Sequence, residues 1–555
     1  MPKAIDLLRQ GRNEELWQLC CGFLSLNIND FMDIQERLLL QQLELLGKCP
    51  LGEKIMRGAR PKTVEEFRRV VPLTTYKDYC PELLEKNEEV LPAKPSQWVH
   101  TSGKSGEYPC KWVPLTPEFS REMSVVSYGV GIFSSCKDWG DLSQASDCPR
   151  IVYAVAPRPY MSGAMAQMLE LQTPSKYMPP LEEAEGLSFE ERIKQGFKQA
   201  LSEGFDYFFG LSLVLVSAGN RFSQSSSKSA VLPLLLKPRA MLRLIKGMVK
   251  SKLARRPLLP RDLWSIKGIM SGGLDSWVYK DKIKELWGRY PLDVYAATEC
   301  GILATQTWDY GSMTFVPNLN FLEFVPDDEH LKWQMDRSYQ PKTLLLDELE
   351  EGKEYEIVVT NFHGGVMVRY RIGDMVRITS LRNEKLGIEI PQMAFSRRAD
   401  DIIDFGVTRL TEKVIWQAIE NSGIPYEDWI ARKETGENMA LHIFIELKDG
   451  SQATEADVAN AVYKKIIETD EKVSEAAEIR GDFTNFIDFK IDVTLLPGGT
   501  FASYIEQKRA EGADLAHLKP HHINPSEETL TLLVTKPEKT RAASEAETET
   551  EKVTA

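Results

Sequence analysis

The sequence predicts an α/β protein, with a large amino-terminal domain of mixed sheets and packed helices and a smaller α+β carboxy-terminal domain. Up to about residue 390, short β-branched or apolar runs alternate with amphipathic helical segments, a mixture typical of α/β sheets. Composition then changes near residues 391–398, where a strand-like stretch gives way to a charged run. The length of 555 residues also exceeds what one ordinary hydrophobic core supports. We therefore expect domains at residues 1–394 and 395–535.

Individual elements follow from the spacing of apolar residues. Helical spacing predicts helices within residues 14–47 and 183–203. Short apolar runs predict strands at residues 151–156, 265–270, 294–297, 321–325 and 356–360. In the second domain the patterns predict helices at residues 412–421, 455–469 and 501–512 and a strand at 441–447. Residues 536–555 are rich in Glu, Thr, Ala and Lys, which predicts a disordered acidic tail.

Composition excludes several classes of function. A formal net charge of −13 argues against an extended nucleic-acid surface, which needs clustered cations. The longest apolar runs, at residues 213–216 and 231–236, are far shorter than the ~20 residues that cross a bilayer, so we expect no membrane span and no membrane partner. The eight cysteines include no C-x-x-C pair, which predicts reduced thiols rather than a disulfide framework or a zinc site. Residues 1–15 lack the apolar core of a signal peptide, so a cytoplasmic location is expected.

The loop from Thr101 to Lys111 is the most informative motif of the first domain. Its glycines let backbone N–H groups approach phosphate oxygens, its hydroxyls add donors, and its lysines supply point charges. The residues expected to hold the phosphates of a nucleotide are Thr101, Ser102, Gly103, Lys104, Ser105 and Lys111. A Walker A motif is disfavoured, because Trp98 stands where its first glycine is needed and Pro109 blocks the helix that must follow.

Two further motifs lie far downstream. Tyr295-Ala296-Ala297-Thr298-Glu299-Cys300-Gly301 follows a predicted strand and is preceded by the turn Ser271-Gly272-Gly273. Residues 364–374 contain Arg369-Tyr370-Arg371 and end in Gly373-Asp374. Together with the loop, these motifs resemble the adenylate-forming enzymes, and most of all the auxin-responsive Gretchen Hagen 3 (GH3) family of acyl acid amido synthetases. The resemblance covers nearly the whole chain, including residues 71–79 and Leu518-Lys519-Pro520.

The resemblance implies a large adenylate-forming domain and a nucleotide site with named residues. Glu299 would orient Mg²⁺ bound to the phosphates of ATP, with Thr298 touching the α-phosphate. Asp374 would accept hydrogen bonds from both ribose hydroxyls, which suit a carboxylate well. The adenine and the rest of the nucleotide would contact Gly272, Gly273, Tyr295, Ala296 and Arg398. Lys104 departs from the family pattern, because the corresponding loop of the family usually carries threonine at this position.

Further roles implied by the resemblance concern the acyl group and the second domain. The acyl acid would lie near Tyr160, Met161, Met165 and Val216. Arg398-Ala399-Asp400-Asp401 resembles the junction after which a mobile carboxy-terminal domain swings over the site. This motion would bring Lys519 to the adenylate as a catalytic residue, where its ammonium neutralises phosphate charge while closure excludes water.

The function expected from these motifs is that of an ATP-dependent ligase using Mg²⁺. It would adenylate a small carboxylic acid and pass the acyl group to an amino acid amine, with Lys519, Glu299 and Thr298 as catalytic residues. A first alternative is an acyl-coenzyme A ligase, which shares the adenylation step but uses a thiol acceptor. A second alternative is a nucleotide- or acyl-binding regulator without turnover. No oligomeric state follows from the sequence.

Several residues invite a second interpretation. Cys300 adjoins Glu299, but no neighbouring histidine would activate it, so we expect a small residue that lines a pocket. His521 and His522 resemble a metal pair, but no third ligand is evident, so a solvated or loop role is expected. Arg369 and Arg371 are compatible either with phosphate contacts or with ion pairs.

Overall fold

The chain forms two compact units, Met1–Asp400 and Asp401–Ala555. The computed structural model describes residues 2–101, 110–224, 238–272, 276–336, 338–399, 402–405, 409–435, 439–448, 450–469, 489–510, 520, 522–525 and 527–534. The domain boundary proposed from composition, between residues 394 and 395, lies inside a strand of the first unit (Gln392–Arg398). The proposed tail at residues 536–555 lies outside the described residues.

The described part of the first unit contains helices between, before and after its strands. They are α1 (Ala4–Arg9), α2 (Asn13–Cys21), α3 (Ile28–Leu46), α4 (Pro50–Ile55), α5 (Val64–Val70), α6 (Pro117–Phe133), α7 (Met161–Leu169), α8 (Leu181–Glu185), α9 (Phe189–Glu203), α10 (Ser212–Gln224), α11 (Pro238–Leu253), α12 (Pro260–Leu263), α13 (Ser276–Trp287) and α14 (Asp327–Met335). Their starts follow capping chemistry. Asn27 accepts a hydrogen bond from the backbone N–H of Asp30, and Thr116 caps α6, which has proline at its first position.

The strands of the first unit form one short hairpin and one large mixed sheet. They are β1 (Gln97–His100), β2 (Trp112–Leu115), β3 (Arg150–Ala154), β4 (Lys176–Met178), β5 (Tyr207–Gly210), β6 (Gly268–Gly272), β7 (Leu292–Ala297), β8 (Gly301–Thr305), β9 (Met313–Phe315), β10 (Asn320–Pro326), β11 (Glu354–Asn361), β12 (Tyr370–Ser380) and β13 (Gln392–Arg398). The hairpin pairs β1 with β2, and eleven strands form the sheet in the order β10-β11-β12-β13-β9-β8-β7-β6-β5-β3-β4.

The large sheet has a parallel half and an antiparallel half. Strands β4, β3, β5, β6 and β7 pair in parallel, whereas β7 pairs antiparallel with β8 and the remaining pairs are antiparallel too. The change of direction therefore occurs at the turn between β7 and β8. In open α/β sheets ligands bind beyond the carboxyl ends of the parallel strands, which is where this turn lies.

The antiparallel half curves back towards this turn. Asn320, at the start of β10, donates a hydrogen bond to the backbone oxygen of Cys300 at 2.8 Å. Asn361, at the end of β11, donates to the backbone oxygen of Glu299 at 3.1 Å. Strands far apart in the order of the sheet are thus adjacent in space at this point. The same asparagines also bond to each other, which fixes the turn from outside.

The second unit contains two small sheets and several helices. Its elements are β14 (Ile402–Asp404), β15 (Arg409–Thr411), α15 (Glu412–Asn421), β16 (Tyr426–Thr435), β17 (Met439–Leu447), α16 (Glu455–Thr469), β18 (Lys490–Leu496), α17 (Thr500–Ala510) and α18 (Glu527–Val534). β14 pairs with β15, and β16-β17-β18 form a mixed sheet. Ile430 and Phe444 of this sheet pack with Phe501, Tyr504 and Leu530 from the helices.

Most predicted elements match the observed ones within a few residues. The helices at 412–421 and 455–469 are confirmed. The helical regions at 14–47 and 183–203 are each interrupted, by the short 3-10 helix Gly22–Ser25 and by a break before α9. The strand predicted at 265–270 begins later, at Gly268, because the backbone N–H of Lys267 instead bonds to the oxygen of Asp206. No helix among the described residues is long and apolar enough to cross a membrane.

Candidate active site

Glu299 is the middle residue of the three-residue turn between β7 and β8. The turn starts after Ala297, which pairs with Gly301 across the two strands. Gly301 has φ +69°, and an added Cβ would lie 3.0 Å from Met123 Sδ and 3.1 Å from Phe119 Cζ of α6. A side chain at this position would therefore be both strained and crowded. The carboxylate of Glu299 is held in a largely buried place, with 9% of the residue exposed.

Two tyrosine–carboxylate hydrogen bonds connect this turn to β12. The hydroxyl of Tyr295 donates to Oδ2 of Asp374 at 2.8 Å, and the hydroxyl of Tyr370 donates to Oε1 of Glu299 at 3.2 Å. In each segment the tyrosine precedes the carboxylate by four residues, so the pairs run crosswise. Burial, reinforced by the adjacent carboxylate, raises the pKa of both tyrosines well above its usual value, and both therefore remain hydrogen-bond donors.

Asp374 has a second partner on the neighbouring strand. It faces Arg398 in the register of β12 and β13, and Arg398 Nη1 donates to Asp374 Oδ1 at 2.6 Å. Both carboxylate oxygens of Asp374 are thus oriented by protein donors. A carboxylate offers about four lone-pair positions, so each oxygen can accept more than one hydrogen bond.

The base of the predicted phosphate loop lies beside Glu299. Thr101 and Lys111 close the loop through two hydrogen bonds, from the Thr101 N–H to the Lys111 oxygen and from the Lys111 N–H to Thr101 Oγ1, both 3.1 Å long. The ammonium of Lys111 then lies 3.4 Å from the hydroxyl of Tyr370. Lys111, Tyr370 and Glu299 therefore form a continuous polar chain. The predicted loop residues Ser102, Gly103, Lys104 and Ser105 lie outside the described part of the chain.

Residues 71–79 connect the polar chain of Lys111, Tyr370 and Glu299 to the rest of the first unit. Thr74 bonds on both sides of Tyr370, through its N–H to the oxygen of Arg369 and through its oxygen to the N–H of Arg371, each at 2.9 Å. The hydroxyl of Tyr76 bonds to both backbone groups of Trp112, directly after the loop. This segment thus holds the loop and the start of β12 in a fixed relation.

Arg369 and Arg371 are occupied by ion pairs with buried glutamates. Arg369 makes two hydrogen bonds to Glu323, at 3.0 and 2.7 Å. Arg371 makes two to Glu356, at 2.9 and 2.6 Å. Burial opposes ionisation of Glu356, but His330 and Arg371 outweigh it and lower the pKa of that carboxyl. Of the two interpretations left open by the sequence, the ion pairs are the observed one.

The surroundings of Cys300 and His522 indicate structural roles for both residues. Cys300 is fully buried, and burial raises the pKa of its thiol well above the usual value, which disfavours a thiolate nucleophile. Of the solvated or loop role expected for His522, the loop position is observed, but the side chain is not solvated: its Nδ1 lies 2.6 Å from Glu412 Oε1 and its Nε2 lies 3.0 Å from Asp428 Oδ1. His521 lies outside the described residues, as does Lys519.

The remaining predicted nucleotide residues lie at the carboxyl ends of neighbouring strands. Gly272 is the last residue of β6, and Ala296 is an exposed residue near the end of β7. Thr298, half-buried, opens the turn that holds Glu299. Gly273 falls in a part of the chain that the structure does not describe. Because β6 and β7 are parallel neighbours, their carboxyl ends lie at the same edge of the sheet, and so do Gly272, Ala296 and Thr298.

The four predicted acyl-site residues lie in two places. Tyr160 and Met161 begin α7, and the Tyr160 ring packs 4.6 Å from the ring of His100, next to the loop. Met165 lies on the next turn of α7, whereas Val216 lies on α10. A small pocket lies elsewhere, near the amino ends of β3 and β5, and none of the four residues lines it.

Tyr370 is the residue whose role the sequence did not disclose. It lies between two arginines that drew attention as charged residues, and its hydroxyl connects Lys111 with Glu299. One signal was present, since the four-residue spacing from Tyr295 to Glu299 recurs from Tyr370 to Asp374. Asn320 and Asn361 carried no comparable signal, because their function depends on the curvature of the sheet.

The residues at this site fit a magnesium nucleotide. Mg²⁺ commonly takes one or two carboxylates together with phosphate oxygens, and Glu299 supplies such a carboxylate beside a lysine and a tyrosine. No group of three His, Cys, Asp or Glu side chains able to hold a metal by themselves occurs in the described ranges. A metal here would therefore depend on the phosphates for much of its coordination.

Comparison with known proteins gives matches over both halves of the first unit. The GH3 family N-terminal domain matches residues 22–142, and the GH3 family central domain matches residues 313–398. Jasmonoyl-L-amino acid synthetase GH3.5 of Oryza sativa subsp. japonica is 25% identical over 282 residues, which are 47% of this chain and 46% of the relative. Jasmonoyl-L-amino acid synthetase JAR4 of Nicotiana attenuata is 32% identical over 161 residues, 28% of this chain and 26% of the relative. The chain thus matches about half the length, or less, of these curated relatives.

Solved structures show the same α/β fold with two domains. The AtGH3.15 acyl acid amido synthetase in complex with 2,4-DB aligns with a TM-score of 0.51 at 16% identity, over 93% of this chain and 95% of that chain. The 2-hydroxyisobutyryl-CoA ligase in complex with 2-HIB-AMP and CoA aligns with a TM-score of 0.51 at 15% identity, over 84% and 86%. These likenesses concern the fold alone. The two matching domain models and the relatives show that the chain is similar to the GH3 family over residues 22–142 and 313–398.

Proposed function

We propose that this chain is an ATP-dependent ligase that activates a small carboxylic acid as an acyl-adenylate and transfers the acyl group to the amine of an amino acid. The observation that carries the proposal is the crosswise pairing of Tyr295 with Asp374 and of Tyr370 with Glu299. It orients two carboxylates at the edge of the sheet where a nucleotide is expected, and one of them, Glu299, is linked through Tyr370 to Lys111. The amide-forming activities named for the relatives support the choice of acceptor.

Each residue has a part in the proposed first step. A carboxylate oxygen of the acid attacks the α-phosphorus of ATP, the bond to the bridging oxygen breaks, and pyrophosphate leaves. Lys111 and Thr298 bind phosphate oxygens, and Asp374 positions the ribose, so the reactants are held in line. Glu299 holds Mg²⁺, which when bound supplies positive charge to the phosphates.

In the second step the amine nitrogen attacks the acyl carbon of the adenylate. AMP leaves with the bonding electrons, and the nitrogen loses a proton to give the amide. Ser102, Gly103, Lys104 and Ser105 as further phosphate ligands and Lys519 as a cation supplied by the carboxy-terminal unit remain part of the proposal. The eight free cysteines are compatible with a reducing, cytoplasmic setting.

Isotope exchange between pyrophosphate and ATP tests the site residues. Exchange should require an added carboxylic acid and should fall by about a hundred-fold or more in Glu299→Gln and in Asp374→Asn, because each loses a charge that the reactants need. Glu329→Gln is a matched control, since Glu329 is also buried and ion-paired but lies on α14. Retained exchange in both folded site variants would falsify the assignment.

The acceptor is tested separately from the first step. An acid that supports exchange is supplied with pooled amino acids or with coenzyme A, and the product is identified by mass. We expect an amide. A thioester would instead establish the acyl-coenzyme A ligase alternative, and ATP binding without exchange for any acid in a broad library would establish the regulator.

A further inference from the structure

Helix α11 (Pro238–Leu253) carries a stripe of large apolar side chains on its solvent side. Leu242, Ile245, Val249 and Leu253 are 65%, 45%, 52% and 80% exposed. Their spacing follows the helical repeat, so they lie along one face over the length of the helix. Other members of the stripe are Met241 and Met248, which are 38% and 47% exposed. A contiguous apolar stripe of this length is unusual on a protein surface without a partner.

The opposite face of α11 attaches the helix to the first unit through small residues. Ala240, Gly247 and Ser251 are the buried residues of the helix. A Cβ at Gly247 would lie 2.5 Å from Leu263 Cδ2, so the contact is close. Arg243 bonds to the backbone oxygens of α9, at 2.9 and 2.5 Å. The helix is thus inverted relative to a normal surface helix, whose large apolar residues face the core.

The charges of α11 have one sign. The helix contains five cations and no Asp or Glu, although the chain as a whole has a formal net charge of −13. Arg239, Lys246 and Lys250 are exposed along one flank of the apolar stripe, and Lys252 lies within it. Long cationic side chains next to an apolar face can reach anionic groups while the apolar residues are buried. The preferred partner is therefore both apolar and anionic.

Although the apolar runs of the sequence led us to expect no membrane partner, we infer that α11 binds the surface of an anionic lipid bilayer, with its axis parallel to the membrane and without crossing it. The stripe has Leu, Ile, Val and Met but no Trp, Tyr or Phe, whereas the centres of specific protein interfaces are enriched in aromatic and arginine anchors. Flexible aliphatic side chains suit acyl chains, which impose no hydrogen-bond geometry, and lysines suit lipid phosphates and carboxylates. This inference stands independently of the proposed ligase activity.

Sedimentation with vesicles tests the inference. The full chain is mixed with vesicles of phosphatidylcholine alone or of an equimolar mixture with phosphatidylserine. We expect binding at least about ten-fold stronger to the anionic vesicles, weakened at about 0.5 M salt. The triple variant Leu242→Gln, Ile245→Gln, Val249→Gln should bind about a hundred-fold more weakly, because three apolar side chains no longer enter the bilayer.

Two further variants separate the apolar and electrostatic contributions. Lys246→Glu with Lys250→Glu should abolish the preference for anionic vesicles. Leu171→Gln, Leu331→Gln and Leu381→Gln alter exposed apolar residues outside α11, at 40–47% exposure, and should leave binding unchanged. Absence of wild-type binding to both vesicles, or equal binding by the α11 triple variant, overturns the inference. A dimer that light scattering detects and the α11 triple variant dissociates would instead identify a self-association face.

Discussion

At the scale of single residues, the site depends on hydrogen-bond donors that keep buried carboxylates oriented. An ionised carboxylate loses hydration when it is buried, so it needs donors from the protein. Tyr295 and Arg398 serve Asp374, and Tyr370 serves Glu299. Arg369 and Arg371, by contrast, form ion pairs with the buried glutamates Glu323 of β10 and Glu356 of β11. Neutral tyrosines beside the site leave more of each carboxylate available than bidentate arginines would.

Removing the Tyr370 hydroxyl should weaken the use of ATP. Tyr370→Phe deletes the group between Lys111 and Glu299, and a hydrogen bond to a charged group is worth about 1.5–3 kcal/mol. We therefore expect kcat/KM for ATP in the exchange reaction to fall by about ten-fold or more. Tyr355→Phe is the matched control, because Tyr355 is also buried but its hydroxyl accepts a hydrogen bond from the Glu350 backbone instead of contacting the site. It should lower thermal stability and leave kcat/KM nearly unchanged. An equal effect of both variants would assign Tyr370 a packing role only.

At the scale of elements, the β7–β8 turn decides where Glu299 lies. The turn is restrained below by α6, whose Met123 and Phe119 approach Gly301, and outside by Asn361 and Asn320. A tight antiparallel connection following a parallel strand is also what ends the parallel half of the sheet. The direction of the sheet and the position of the carboxylate are thus two consequences of one local structure.

A methyl group at Gly301 should disturb both stability and activity. Gly301→Ala must adopt a positive φ and crowd Met123, so we expect a cost of about 2–3 kcal/mol and a displaced Glu299. Gly11→Ala provides the control, because Gly11 has φ +68° but nothing within 4 Å of an added Cβ. That variant should cost only about 1 kcal/mol and keep full exchange activity. Urea unfolding and the exchange assay measure the two effects. Equal costs at the two positions would show that α6 does not crowd the turn.

At the scale of the whole molecule, the described residues of the proposed nucleotide site belong to the first unit, and the second unit has buried charges of its own. In the first unit the curved sheet brings together residues from 101 to 398 in the sequence. In the second unit, His522 lies between Glu412 of α15 and Asp428 of β16 and stacks on Trp429 at 4.6 Å. Burial lowers the pKa of His522, but the two carboxylates outweigh it and raise that pKa to about 9.

The second unit should therefore lose stability at alkaline pH. Because the pKa of His522 is higher in the folded state than its usual value of 6.5, its contribution is complete below about pH 6.5 and disappears as pH rises through about 9. The free energy of unfolding should fall by about 1–3 kcal/mol over this range. The upper value corresponds to the full pKa shift of His522. The lower value applies if solvent screens the ion pair with Glu412, which is partly exposed. Unfolding of the full chain in urea, followed by tryptophan fluorescence between pH 6 and 10, measures it. The His522→Gln variant should be less stable than the wild type at pH 6, and its free energy of unfolding should not change between pH 6 and 10. If its free energy of unfolding instead changes with pH as in the wild type, His522 is not the titrating group.

The sequence alone determined the fold class and most helices and strands, whereas the resemblance to the GH3 family assigned Glu299, Asp374 and Lys111 to one proposed site. Local patterns suffice for the elements, because apolar spacing defines an amphipathic helix or strand. Only the tertiary structure decided the roles of Tyr370, Arg369, Asn361 and His522. Their partners lie 71, 46, 62 and up to 110 residues away, and no local pattern records which distant donor meets which acceptor. The curvature of the sheet and the packing of each core make that choice, since a buried polar group must find its partner wherever the fold places one.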